Sequence, residues 1–228
     1  MTRGVFVTGT DTGVGKTIVA CALLRACVAN GARAVGMKPV ATGVEAGTAC
    51  HEDVTALAVA GNVDALLSAR NPYAFAPAIA PHLAAADAGV AIDLARVRHA
   101  YAELAARADC IVVEGAGGAL APLDARHDML DVARELGLPV VLVVGMRLGC
   151  LNHALLSALA IQARGLAFEG WVANCIDARF GPLDENIDAL ESRLPAPRLA
   201  TVGWERWQAP AWHAEAFAAC LARMRLSA

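Results

Sequence analysis

The stretch Val5-Phe6-Val7-Thr8-Gly9-Thr10-Asp11-Thr12-Gly13-Val14-Gly15-Lys16-Thr17 decides the fold of this chain. A short apolar strand runs into a glycine-rich loop, and the loop runs into a helix predicted over Lys16–Ala29 and stopped by Asn30-Gly31. Gly15-Lys16-Thr17 matches the end of a P-loop, although five residues rather than four separate Gly9 from Gly15. Backbone N–H groups of such a loop, together with the N-terminus of the following helix, form an anion cradle. Lys16 is placed to reach β- and γ-phosphates, and the Thr17 hydroxyl to ligate Mg²⁺.

Outward from this stretch, apolar strands alternate with helices. Strands are predicted over 34–38, 110–113, 140–144, 170–174 and 199–202. Helices are predicted over 53–60, 79–87, 93–107, 131–136, 152–164, 183–193 and 210–225, with 71–77 a loop. Several strands are apolar throughout, the pattern of a parallel sheet covered on both faces. With no internal repeat and no long linker, the 228 residues are expected to form one α/β domain of P-loop NTPase type over 1–228, a mostly parallel sheet with helices on both faces. Ligands are expected at the carboxyl ends of the strands.

Composition narrows the function. A formal charge of −3 gives no electrostatic reason to expect nucleic acid or anionic lipid as partner. No apolar run reaches membrane-spanning length, and the first residues do not resemble a signal peptide. The seven cysteines include no Cys-x-x-Cys and sit mostly in apolar stretches, which reads as reduced thiols in a cytoplasmic protein rather than a disulfide frame or zinc site. Seventeen arginines stand against two lysines, Lys16 and Lys38. Where arginine has taken over generic surface charge, the surviving lysines mark positions at which a guanidinium does not replace an ammonium.

Three further segments carry chemistry. Val112-Val113-Glu114-Gly115-Ala116-Gly117-Gly118 ends an apolar strand in an acid, where a Mg²⁺-holding carboxylate belongs, followed by glycines that allow close backbone approach. Lys38, ending the second strand in Met37-Lys38-Pro39, would face the same rim and stabilise charge on a transferring phosphoryl group. Asp53, opening the next helix, reads equally as a helix cap or as a second Mg²⁺ ligand. The segment Val144 to His153 is a strand end, a glycine-containing loop and a helix start, suited to an anion but also readable as an ordinary βα loop. Cys150 within it has no assignable base and reads as a structural thiol; His82 is open either way. There is no Asn-Lys-x-Asp guanine motif and no Rossmann Gly-x-Gly-x-x-Gly, which disfavours a switch GTPase and a dehydrogenase.

Taken in order, the P-loop, Lys38-Pro39-Val40, Asn71-Pro72-Tyr73-x-Phe75, Pro81-His82, Val113 to Gly118, Leu148 to His153 and Gly170-Trp171-Val172-Ala173-Asn174 closely resemble the dethiobiotin synthetase family, from about Val5 to Pro197. That resemblance implies a homodimeric ligase of biotin synthesis that uses ATP and Mg²⁺. In this family 7,8-diaminononanoate and CO₂ form a carbamate, ATP converts it to a carbamic–phosphoric anhydride, and the second amine closes the ring. By the same resemblance Lys16, Lys38 and Thr12 are catalytic. Gly13, Val14, Gly15, Lys16, Thr17 and Ile18 bind the nucleotide, and Asn174 with Pro195, Ala196 and Pro197 binds its adenine. Thr17, Asp53 and Glu114 hold Mg²⁺. Thr42, Gly117 and Gly118 face the substrate, while Gly149, Cys150, Leu151 and Asn152 hold its carboxylate across a subunit interface.

The chain departs from the family at Gly13, where many relatives have Glu, in the short segment between Thr42 and Asp53, and after Pro197. Two rivals remain at this stage. One is an amidating ligase of the cobyrinate type, for whose glutaminase domain the chain has no length. The other is a partitioning or switch-class P-loop ATPase acting on a protein partner, for which the loop lacks an extra lysine and the tail lacks a basic face.

Overall fold

A computed structural model describes residues 3–45, 47–48, 50–204, 217 and 221. Sixteen elements follow one another: β1 (Arg3–Gly9), α1 (Lys16–Ala29), β2 (Ala34–Met37), β3 (Val40–Thr42), α2 (Glu52–Ala60), α3 (Leu67–Arg70), β4 (Tyr73–Phe75), α4 (Pro81–Asp87), α5 (Leu94–Ala105), β5 (Cys110–Glu114), α6 (Met129–Glu135), β6 (Val140–Met146), α7 (Cys150–Ala163), β7 (Phe168–Cys175), α8 (Leu183–Glu191) and β8 (Arg198–Val202). The six long strands form one sheet in the order β2-β5-β1-β6-β7-β8, and every pairing is parallel.

The uniformly apolar strands have a simple physical origin, because successive side chains point to opposite faces and each face meets its own helices. Phe6, Ile111, Val113, Leu142 and Val144 enter one core, with residues of α4 to α8. Val5, Val7, Val112, Val141 and Val143 enter the other, with Val19 to Cys27 of α1 and Leu57 of α2. Strand β1 lies between β5 and β6; the chain leaves β1 toward β2 on one side and leaves β5 toward β6 on the other, so the loops after β1 and β5 open at the topological switch point.

The expectation of a loop over 71–77 is corrected. Tyr73–Phe75 is a strand that pairs in parallel with Val40–Thr42, forming a two-stranded sheet of its own. Proline on either side limits it to three residues, too short for a period-2 pattern to be read; Tyr73 and Phe75 are buried and Ala74 is exposed. The expected strand over 34–38 accordingly ends at Met37, and the chain resumes as β3 after Pro39. The four-residue α3 carried no sequence signal. Helix α7 begins at Cys150, two residues earlier than the sequence indicates, because Gly149 adopts a φ of 94° and starts the helix directly. The expected helix over 210–225 lies outside the described residues apart from Phe217 and Leu221, both of which are buried in the α1 core.

Gly170 shows how closely β7 and β8 pack. A methyl group there would sit 2.8 Å from the Pro197 carbonyl oxygen and 2.5 Å from Leu199 Cγ. Gly170→Ala is therefore expected to cost about 1–3 kcal/mol through overpacking, read as a lower urea midpoint at unchanged slope.

Candidate active site

The P-loop wraps the end of β1 and delivers its ligands through two left-handed glycines, Gly13 at φ 73° and Gly15 at φ 88°. Gly15 is the N-cap of α1, which has no side-chain cap and no acidic residue in its first turn. Its N-terminal N–H groups thus meet neither a capping side chain nor a local carboxylate, as an anion site requires. A methyl at Gly9 would lie 2.6 Å from Val14 Cγ2, so the loop folds back tightly on the strand it leaves.

A cavity of about 430 Å³ opens over the loop. Thr12, Gly13, Gly15, Lys16, Thr17 and Ile18 line it from the P-loop side. Lys38, Thr42, Asp53, Glu114 and Gly117 close it from the neighbouring strand ends, with His51 and Glu52 at the start of α2. Sequence reading did not single out those last two. The Thr12 hydroxyl lies 3.7 Å from the point where a Gly117 Cβ would stand, so the two loops meet without room for much side chain.

Four groups converge at the centre. Thr17 Oγ1 lies 2.8 Å from Asp53 Oδ1 and 2.9 Å from Glu114 Oε1. The Lys38 ammonium donates to Asp53 Oδ2 at 2.6 Å and to Glu114 Oε1 at 2.5 Å. Lys38 and Glu114 are almost wholly buried. Asp53 thus turns inward, and the capping of α2 falls to His51, which accepts from the Asp53 N–H. Strand β5 places Glu114 at its tip, and β2 runs beside β5, which brings Lys38 to the same rim.

Burial shapes the charges. Lys16 is pushed down to about 8, first by burial and then by the nearby Lys38 charge, against the opposing pull of Glu114, Asp53 and Asp11. Burial also works against the Lys38 ammonium, but the Glu114 and Asp53 carboxylates outweigh it and raise its pKa. Burial raises Glu114, with the Asp53 charge adding to it and Lys38 and Thr17 opposing. Burial opposes ionisation of Asp53 too, yet Lys38 and the Thr17 hydroxyl bring its pKa below the usual carboxylate range.

The donor set fits Mg²⁺. It is all oxygen, two carboxylates and one hydroxyl, and Glu114 Oε2 is buried with no hydrogen-bond partner among the described residues. Among the described residues no three or more His, Cys, Asp or Glu side chains are grouped so as to hold a metal ion by themselves. Mg²⁺ needs no such group, since it is commonly held by one or two carboxylates together with substrate phosphates.

Supporting contacts join distant parts of the chain. Arg147 Nη2 donates to Asp11 Oδ2 at 2.6 Å, tying the loop after β6 to the P-loop, and the Lys16 ammonium donates to the Asp11 carbonyl at 2.9 Å. Asn71 Nδ2 donates to the Lys38 carbonyl at 2.6 Å, and the Lys38 N–H to the Arg70 carbonyl at 2.8 Å, so the Lys38 backbone is pinned. Asn174, at the end of β7, is fully buried; its Nδ2 donates to the Val14 carbonyl at 2.6 Å and its Oδ1 has no partner among the described residues.

The remaining expected residues lie outside this cavity. Gly149, Cys150, Leu151 and Asn152 form the start of α7; the Cys150 side chain is buried, so only backbone is offered at that position. Gly118 lines a second, shallower hollow with Thr10, His153 and Leu156. Pro195, Ala196 and Pro197 form the turn between α8 and β8, where the Pro197 carbonyl accepts from the Trp171 N–H.

Comparison with known proteins adds the following. A family model described as an AAA domain matches residues 3–209. The chain is 54% identical over 202 residues to the ATP-dependent dethiobiotin synthetase BioD of Aromatoleum aromaticum, covering 88% of this chain and 90% of that protein. It is 52% identical over 206 residues to the protein of that name from Nitrosospira multiformis, covering 90% of each. Two solved structures share the fold at low identity. The septum site-determining protein MinD from Pyrococcus horikoshii has a TM-score of 0.56 at 16% identity, covering 100% of this chain and 95% of that one. A ParA family ATPase from Chlorobium tepidum has a TM-score of 0.54 at 15% identity, covering 97% and 91%.

Proposed function

The chain belongs to the dethiobiotin synthetase family, and from that premise we propose that the cavity over the P-loop is the active site of an ATP- and Mg²⁺-dependent ligase that forms dethiobiotin. The observation that carries this reading is the convergence of Thr17, Asp53, Glu114, Lys38 and Lys16 at the mouth of the P-loop. A partitioning-class ATPase is not favoured: the MinD and ParA structures share the fold at 15–16% identity, whereas the synthetases match at 50–54%.

In finer terms we assign a ring-closing reaction, in which 7,8-diaminononanoate, CO₂ and ATP give dethiobiotin, ADP and phosphate through a carbamate and its mixed anhydride. Bound at Thr17, Asp53 and Glu114, Mg²⁺ would neutralise phosphate charge as a Lewis acid. The P-loop N–H groups hold phosphate oxygens, and Lys16 and Lys38 supply compact positive charge where negative charge develops. Thr12 and Gly117, from adjoining loops, and Thr42 orient the carbamate-bearing substrate. Little covalent work falls to the protein; its part is positioning and electrostatics. We further assign the start of α7, Gly149 to Asn152, to the substrate carboxylate across a homodimer interface. The exposed Leu148, Leu156 and Leu159 around and along α7 support such an interface. The absence of a membrane-length apolar helix among the described residues is compatible with the cytoplasmic location we propose.

We assign Asn174, with the turn Pro195-Ala196-Pro197, to the base. Its Nδ2 is committed to Val14, and its buried Oδ1 has no partner among the described residues, an acceptor that an approaching base would satisfy. That suits an exocyclic amino group and opposes a carbonyl oxygen at the same place. GTP is therefore expected to show a kcat/KM about 10-fold or more below ATP, and Asn174→Ala to narrow the gap while raising the KM for ATP. The assignment of the reaction is tested by phosphate release from MgATP with and without 7,8-diaminononanoate and bicarbonate. Release that requires the diamine, with dethiobiotin found by mass spectrometry, supports it; release indifferent to the diamine sinks it.

A further inference from the structure

The Lys38 ammonium lies between the same two carboxylates that the metal needs. Of the four carboxylate oxygens of Asp53 and Glu114, Lys38 engages Asp53 Oδ2 and Glu114 Oε1, and Thr17 engages Asp53 Oδ1 and Glu114 Oε1. Among the described residues, Glu114 Oε2 alone of the four has no partner. We propose that Lys38 is an internal placeholder cation: it blocks the carboxylate pair to divalent metal until a nucleotide brings phosphates that draw its ammonium away.

Charge balance carries the argument. Two carboxylates, Asp53 and Glu114, face two ammoniums, Lys38 and Lys16, at the centre of the cavity, and the exposed Glu52 lies at its edge, so the buried part of the site is already close to neutral. A dication entering alone would leave a buried excess of two positive charges beside an ammonium competing for the same oxygens, which burial makes costly. A dication entering with a polyphosphate brings its own compensation. The phosphates also give Lys38 a new anionic partner in the cavity it already lines.

The geometry permits that exchange. The backbone of Lys38 is held on both sides, through its N–H to Arg70 and its carbonyl to Asn71, so its flexible four-carbon side chain alone has to move. Arginine would not serve, because a guanidinium bridging two carboxylates forms forked bonds that release less readily. Metal and nucleotide should then bind with strong positive coupling, the metal arriving with the nucleotide.

This inference rests on the assignment of Asp53 and Glu114 to the metal, and the experiment separates the two. Mn²⁺ is titrated into the whole protein, with free Mn²⁺ followed by electron paramagnetic resonance, for wild type, Lys38→Met and the double variant Lys38→Met/Asp53→Asn, with and without ADP. Without ADP, Lys38→Met is expected to bind Mn²⁺ about tenfold or more tightly than wild type, and the added Asp53→Asn to remove that gain. Equal affinity of Lys38→Met and wild type without ADP overturns the placeholder role while leaving the metal site intact. No Mn²⁺ bound by wild type even with ADP overturns the metal site itself.

Should Lys38→Met not fold, wild type alone decides. With only two lysines in the chain, lysine-selective ¹⁵N labelling gives two side-chain signals, and Lys16→Arg assigns them. The Lys38 signal is expected to hold still with Mg²⁺ alone and to shift with MgADP. A shift with Mg²⁺ alone, or none with MgADP, overturns the proposal.

Discussion

Lys16→Arg is expected to lower kcat by about 10²–10³-fold while the chain keeps its fold, measured by phosphate release and by circular dichroism on the same preparation. Charge is conserved in this substitution, so the loss isolates shape. Lys16 is 6% exposed, its ammonium already sits 2.9 Å from the Asp11 carbonyl, and its Cγ lies 3.1 Å from where a Gly9 Cβ would stand. A planar guanidinium with five donors needs more width than this stem allows and fixes its bonds in one plane, whereas an ammonium turns its three donors toward whichever oxygens approach. A chain with seventeen arginines and two lysines uses arginine freely elsewhere. Wild-type turnover in Lys16→Arg would show that any cation serves at this position and would remove the special role given to it.

The parts of the molecule that sequence reveals are those where one local physical demand dominates. The P-loop was legible because the cradle needs glycines, a lysine and a hydroxyl in one short stretch. The parallel sheet was legible because strands such as 110–113 and 140–144 bury both faces. Glu114 and Lys38 could be placed on one rim from strand polarity alone, and β2 does run beside β5.

What stayed hidden depends on contacts between segments far apart in the chain. Arg147 meets Asp11 across 136 positions, and neither neighbourhood carries a pattern that pairs them. Asn71 was visible as part of a motif, but its task of pinning the Lys38 backbone requires β3 and β4, two three-residue strands too short for any periodicity. Asp53 read equally as cap or ligand because both uses need a carboxylate at the start of a helix. In the structure His51 caps α2, and Asp53 turns to Thr17 and Lys38. Legibility therefore ends where function is assembled across the sheet rather than along it.

Glu114→Gln is expected to reduce kcat/KM for MgATP by about 10²–10³-fold, the several kcal/mol that a metal's charge stabilisation supplies. The amide keeps the volume of the side chain, so the 1%-exposed pocket at the tip of β5 stays filled. It loses the negative charge and one acceptor, and with them the proposed metal ligand and half of the carboxylate pair that holds Lys38. Glu114→Asp should be nearly as damaging for a different reason. It keeps the charge but withdraws it by about 1.5 Å, one carbon–carbon bond, from the proposed metal position. Asp53→Asn should lose less, about tenfold, because its side chain is 21% exposed and water has access to the vacated ligand position. The order of the three variants, measured as kcat/KM against Mg²⁺ concentration, tests the assignment more sharply than any one value. A metal held at the strand tip places Glu114→Gln and Glu114→Asp together well below Asp53→Asn, and raising Mg²⁺ recovers part of the Asp53→Asn loss. If Glu114 were only the buried end of an apolar strand, Glu114→Gln would remain within about threefold of wild type at every Mg²⁺ concentration, and the role of Thr17 and Asp53 beside it would have to be rebuilt without a metal.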